Sequence, residues 1–133
     1  MKLLALVSAA LVAAFPAATA RHVGPGPLDT ALTSGRFHVL LHLAPNVATR
    51  AGSVSVSVRT GDGPVIGAHV RLTVTMVSMN MGSFTLPLAE RSAGTYSRAF
   101  PVLGMGGRWR FTVHVLPSGG SPFSVSVADR MPR

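Results

Sequence analysis

The sequence predicts an all-β domain, an immunoglobulin-like antiparallel β-sandwich of about seven strands. Three observations support this fold class. Apolar and polar residues alternate from about residue 36 onward, turn-rich segments separate the alternating runs, and no stretch has the 3.6-residue period of a helix. Short strands at even spacing, each with one apolar face, are typical of two sheets packed face to face.

Each expected strand carries apolar residues at every second position. Gly61-Asp62-Gly63-Pro64 and residues 92–94 and 117–121 mark the turns. Pro87 indicates an edge strand, and Trp109, on the sixth strand, is the expected central aromatic residue of the core. In chain order, the expected strands are 36–43, 53–58, 69–76, 84–88, 95–102, 108–115 and 123–127.

The N-terminus has the features of a secretory signal peptide. A basic start, an apolar run over residues 3–15 and the small residues Ala18 and Ala20 predict a signal peptide over residues 1–20. Residues 21–35 are rich in Gly and Pro and predict a flexible N-terminal segment, which leaves 36–133 as the folded domain. We therefore expect a secreted or periplasmic protein, with a membrane tether as the alternative if the signal is not cleaved.

Composition excludes several classes of function. The chain has no cysteine, so neither disulfides nor thiolate metal sites are available. The net charge is +8, but the arginines are spread singly, which argues against nucleic-acid binding. The four acidic residues form no pair suited to acid–base catalysis, and no nucleophile elbow or phosphate loop is present. We expect neither an enzyme nor a small-molecule substrate.

Methionines suggest a metal function. Met79 and Met81 alternate with polar residues and glycine instead of lying in an apolar run, and Met105 lies in the glycine-rich turn 104–107. Thioether sulfur suits a soft ion, and copper as Cu(I) is the leading candidate cofactor. Residues two apart in an extended segment point the same way, roughly 6.6 Å apart, so Met79 and Met81 can converge on one ion.

The topology of a sandwich brings these methionines together. Connections alternate between the two ends, so the segment with Met79 and Met81 and the turn with Met105 fall at the same end. Met76 continues the inward series of its strand, so it is expected to fill the core and to support the site from below. The predicted metal ligands are thus Met79, Met81 and Met105, with Met76 beneath them.

Two functions remain open at this point. The first is an exported domain that carries or buffers Cu(I), for metal delivery to a membrane or envelope acceptor protein or for oxidase assembly. The second is a metal-free structural or protein-interaction module of the cell envelope, in which methionines 79 and 81 form an adaptable apolar contact surface. Under either function we expect a monomer.

Four short segments carry recognisable motifs: Gly63–Val70, residues 75–82, Gly94-Thr95-Tyr96 and Gly107–Val113. Their order and spacing resemble those of the YtkA-like/FixH-like domain family. In that family a Gly-x-Pro-Val-x-Gly-Ala-x-Val run precedes a methionine or histidine cluster, a Gly-x-Tyr motif and a Gly-x-Trp motif. The resemblance covers about residues 50–116 and implies an exported immunoglobulin-like domain associated with copper handling and oxidase assembly. Relatives commonly place a histidine just after the methionines, where this chain has Gly82-Ser83-Phe84.

Overall fold

The computed structural model describes residues 19–23, 27–78 and 82–132, and all regular structure in these ranges is β-strand. The predicted all-β class is confirmed, with more strands than the seven expected. The described residues form ten strands: β1 (Thr19–Val23), β2 (Leu28–Ser34), β3 (Phe37–Ala44), β4 (Gly52–Thr60), β5 (Gly63–Pro64), β6 (His69–Met76), β7 (Ser83–Ser92), β8 (Thr95–Phe100), β9 (Gly107–Leu116) and β10 (Phe123–Met131).

The strands form one hydrogen-bonded series that folds over on itself into two layers. The order is β1-β10-β9-β6-β7-β8-β4-β3-β2, with β5 paired to β4. All pairs are antiparallel except β1 with β10. At the open side of the series, β2 approaches β10 and β1, so the sandwich is nearly closed into a barrel.

Strand β7 joins the two layers. Its first part, Ser83–Leu88, pairs with β6, and its second part, from Ala89 to Ser92, pairs with β8 across a bulge between Glu90 and Ser92. The first part therefore has a strand neighbour on one side only. Pro87, which has no N–H to donate, lies in that part, as expected of an edge position.

The predicted flexible segment over residues 21–35 is wrong for Leu28–Ser34, which is strand β2. It pairs with β3 along its whole length, and the side chains of Leu28 and Leu32 are fully buried. Thr30 and Ser34 also lie on the inward side, where they are half-buried, and they dilute the apolar alternation that marks the other strands. The folded domain therefore begins before residue 36.

The core fills the space between the two layers with the inward residues of the alternating strands. Val56, Leu72 and Val113 are among its fully buried members. Trp109 is 7% exposed and lies near one end of the core rather than at its centre, so the prediction of a central role is wrong. The most deeply buried aromatic side chains are instead Tyr96 and Phe111, each 1% exposed.

The predicted signal peptide lies outside the described residues except for Thr19 and Ala20, which belong to β1. Its cleavage stays a prediction. Within the described part of the chain, no helix has the length and apolar character needed to span a bilayer.

Candidate metal centre

Three connections meet at one end of the sandwich, as the alternating topology predicts. The carbonyl of Ala48, between β3 and β4, accepts hydrogen bonds from the N–H groups of Leu103 (3.0 Å) and Gly104 (2.9 Å), between β8 and β9. The N–H of Val77, which follows β6, donates to the carbonyl of Arg108 at 2.8 Å. Backbone hydrogen bonds thus join the β3–β4 connection to the β8–β9 connection, and the β6–β7 connection to strand β9.

A cavity of about 190 Å³ lies at this end, and two of the predicted methionines line it. Met76 comes from the end of β6 and Met105 from the β8–β9 connection. The structure therefore brings these two residues together, as predicted. The remaining lining residues are Gly82, Ser83, Phe84, Leu103 and Trp109.

Met76 is the least exposed of the residues that line the cavity. It is 5% exposed, which confirms that it belongs to the core. Its Cε atom packs so closely on Gly107 that a Cβ at that position would lie 3.1 Å from it. Gly107 also has φ +137°, a conformation that residues with a side chain rarely adopt. The glycine thus provides both the backbone path and the space for the methionine side chain.

Met105 is held by its backbone. The indole Nε1–H of Trp109 donates to the Met105 carbonyl at 3.1 Å, which closes the turn between them. The Met105 side chain is half-buried against the core. The hydrogen bond involves the main chain of Met105 and not its thioether sulfur.

Met79 and Met81 lie outside the described residues, but both ends of their segment are described. Ser78 is fixed to β9, since its Oγ accepts from the Arg108 N–H at 2.7 Å. The chain returns at Gly82, which lines the cavity. The methionine segment therefore begins and ends next to the space that Met76 and Met105 line.

Two of the histidines, His42 and His114, have polar partners away from this cavity. Among the described residues, no group of three or more His, Asp or Glu side chains is arranged to hold a metal ion. His42 Nδ1 is 3.1 Å from Asp29 Oδ1, across the β2–β3 pair. His114, on the outward face of β9, contacts Thr73 Oγ1 through Nε2 and Ser124 Oγ through Nδ1, both at 2.9 Å.

His114 belongs to a polar row that the sequence analysis did not single out. Burial lowers the pKa of His114, and the nearby positive charge of Arg71 lowers it further. The neutral imidazole is therefore favoured at pH 7. The sequence alone does not reveal this row. Its members Arg71, His114 and Ser124 lie on three different strands and become neighbours only through the register of the sheet.

Two of the motifs that carry the family resemblance, Gly63–Val70 and Gly94-Thr95-Tyr96, form a structural clasp at the other end of the sandwich. The Tyr96 hydroxyl donates to the Val65 carbonyl at 2.7 Å and accepts from the Ala68 N–H at 3.0 Å. Gly94 lies against Pro64 so closely that a Cβ there would be 2.6 Å from the proline Cβ. The Gly-x-Tyr motif therefore fixes the segment between β5 and β6.

Comparison with known families gives a match to the YtkA-like domain over residues 32–114. The chain belongs to the YtkA-like family. The matched range runs from the end of β2 to the end of β9, so it includes the clasp, the cavity and the predicted metal ligands 76, 79, 81 and 105. The relation to FixH-like domains stays a prediction. Comparisons with curated proteins and with solved structures found no match.

Proposed function

We propose that this YtkA-like domain is exported and carries or buffers Cu(I) through a methionine cluster. Met79, Met81 and Met105 supply thioether ligands, and Met76 supports them from below. The main support is one arrangement: Met76 and Met105 line the same cavity although 29 positions separate them in the sequence, and the Met79–Met81 segment begins and ends beside it.

The chemistry of these residues fits the cargo. Cu(I) is soft and suits thioether ligands. Methionine side chains are flexible enough to adjust to an ion that arrives and leaves. A thioether set carries no charge, so it favours a monovalent over a divalent ion. The expected recipient is a copper acceptor protein in the membrane or envelope.

A metal-free interaction module is the second candidate, and one observation favours it. Val77 is 38% exposed and Val102 is 53% exposed, and both lie in connections at the methionine end. Together with the methionines, they offer an apolar contact surface for a partner protein.

A Cu(I) competition titration against a chromophoric chelator under reducing conditions distinguishes the two functions. We expect one equivalent of Cu(I) to transfer to the wild-type protein. The Met79→Leu/Met81→Leu variant keeps the apolar volume but removes two sulfurs, so it should lose most of the affinity.

The matched control is Met131→Leu, which removes a buried sulfur that does not line the cavity. This variant should bind as the wild type does. If the wild-type protein is folded and still does not compete for Cu(I), the metal function is refuted and the interaction module remains.

A further inference from the structure

Three exposed arginines lie together on the outward face of β9 and β10. Arg108 and Arg110 are two positions apart on β9 and therefore share a face. Arg130 on β10 is directly opposite Arg108 in the register. The residues between them, Trp109 and Asp129, are buried, which confirms the outward direction of the arginines.

In the part of the chain that the structure describes, no acidic side chain forms an ion pair with this arginine cluster. Asp129 is buried, Asp29 contacts His42, Asp62 lies in the turn after β4, and the Glu90 carboxylate accepts two backbone N–H bonds. These are all the acidic residues of the chain. Within the described residues, no ion pair joins the three arginines to a carboxylate.

Like charges directly opposite each other across an antiparallel pair destabilise a sheet. An anion bound between Arg108 and Arg130 would remove that repulsion. Guanidinium groups are well suited to phosphate in particular, because their planar N–H pairs match two phosphate oxygens and they are weakly hydrated. The cluster therefore has the chemistry of a phosphate-binding surface.

We propose that this face binds the surface of an anionic phospholipid bilayer. The sheet offers a broad face rather than a pocket, and Thr73, Thr112 and Ser126 form a row of hydroxyl-bearing residues across it, in register. At its edge Val77, bonded through its N–H to the Arg108 carbonyl, is 38% exposed. A basic face bordered by an exposed apolar side chain fits the headgroup region of an anionic membrane.

This proposal does not depend on copper. The arginine cluster is nevertheless next to the methionine end, because Ser78 is bonded to Arg108 and the methionine segment follows Ser78 directly. A membrane that the arginine cluster binds would therefore lie beside the methionine segment.

The test is co-sedimentation of the full chain with vesicles of phosphatidylcholine alone and of phosphatidylcholine mixed with phosphatidylglycerol. We expect binding to the anionic vesicles that weakens as salt is added. Arg108→Gln/Arg110→Gln/Arg130→Gln should bind these vesicles at least about tenfold more weakly. The three lysine substitutions at the same positions should restore part of the binding, since charge returns without the guanidinium geometry.

The matched control is Arg50→Gln/Arg59→Gln/Arg91→Gln, which removes the same charge from exposed positions elsewhere. It should retain most of the binding. All variants share their N-terminus with the wild type, so any contribution of that segment cancels. Equal losses in the two triple variants, or no loss in either, would overturn the proposal. So would an absence of vesicle binding together with retention by poly-glutamate, which would indicate an acidic protein partner.

Discussion

The indole N–H of Trp109 donates a hydrogen bond to the carbonyl of Met105 at 3.1 Å. This contact connects the core to the turn that carries one of the proposed copper ligands. Trp109 also lines the cavity with Met76 and Met105, so a single side chain both shapes the space and holds part of its rim. The geometry of the methionine end therefore depends on core packing as much as on the methionines themselves.

Replacing Trp109 should loosen the turn that carries Met105. Trp109→Phe removes the hydrogen bond and part of a buried ring, and we expect it to lower the free energy of unfolding by about 1–3 kcal/mol. Urea unfolding followed by circular dichroism measures this. The amide protons of Leu103 and Gly104, which bond to Ala48, should exchange faster in the variant. Unchanged stability and unchanged exchange would show that the indole contact does not hold the turn.

In the clasp at the opposite end of the sandwich, removing one oxygen atom should lower the stability of the fold substantially. Tyr96→Phe keeps the ring but deprives the Val65 carbonyl and the Ala68 N–H of their partner. We expect a loss of about 1–3 kcal/mol in the free energy of unfolding. Burial raises the pKa of Tyr96, so the hydroxyl keeps its proton and the clasp should persist into mildly alkaline solution. A thermal midpoint equal to that of the wild type would contradict this role.

Two glycines with similar backbone conformations provide a test of the close approach in the clasp. Gly94 has φ +76° and Gly35 has φ +57°, so alanine is strained at both. At Gly94 the added Cβ would also collide with Pro64, whereas at Gly35 it meets nothing within 4 Å. Gly94→Ala should therefore lower the thermal midpoint clearly more than Gly35→Ala does. Equal changes in the thermal midpoint would mean that the segment at Pro64 shifts at little energetic cost to accommodate the added Cβ.

His114 should make stability depend on pH. Its pKa in the folded protein is lowered, so below about pH 6.5 the unfolded chain binds the proton more readily than the folded one. Its contribution to stability is present above that pH and is lost as the pH falls toward the folded-state pKa. Thermal midpoints from pH 8 to pH 5 should fall less steeply for His114→Gln than for the wild type. His38→Gln, at an exposed position, is the control, and an equal slope for the wild type and His114→Gln would refute the prediction.

Much of the fold could be predicted from the sequence because the alternation has a physical cause. A slip of one residue would turn every inward valine of β4 or β9 toward solvent, so the pattern fixes both the strand and its faces. Strand β2 was missed because two of its inward positions carry hydroxyl side chains. The strands were therefore predictable where the inward residues are aliphatic, and not where they are polar.

The placement of two of the candidate residues was predictable for a different reason. Alternating connections were sufficient to place Met76 and Met105 at one end, and the cavity between them agrees with that. The arginine cluster and the His114 row could not be found in the same way. Arg108 and Arg130 are separated by 22 positions and meet only through the β9–β10 register, which turn lengths set.

The most direct test of the copper proposal is X-ray absorption at the copper edge of the protein loaded with one equivalent of Cu(I). We predict a first coordination shell made of sulfur, and because the chain has no cysteine, these sulfurs must be thioethers. In the Met79→Leu/Met81→Leu variant that shell should be lost or depleted. A shell of only nitrogen and oxygen atoms in the wild-type protein, or a sulfur shell unchanged in the variant, would contradict the assignment of the methionine cluster as the copper site.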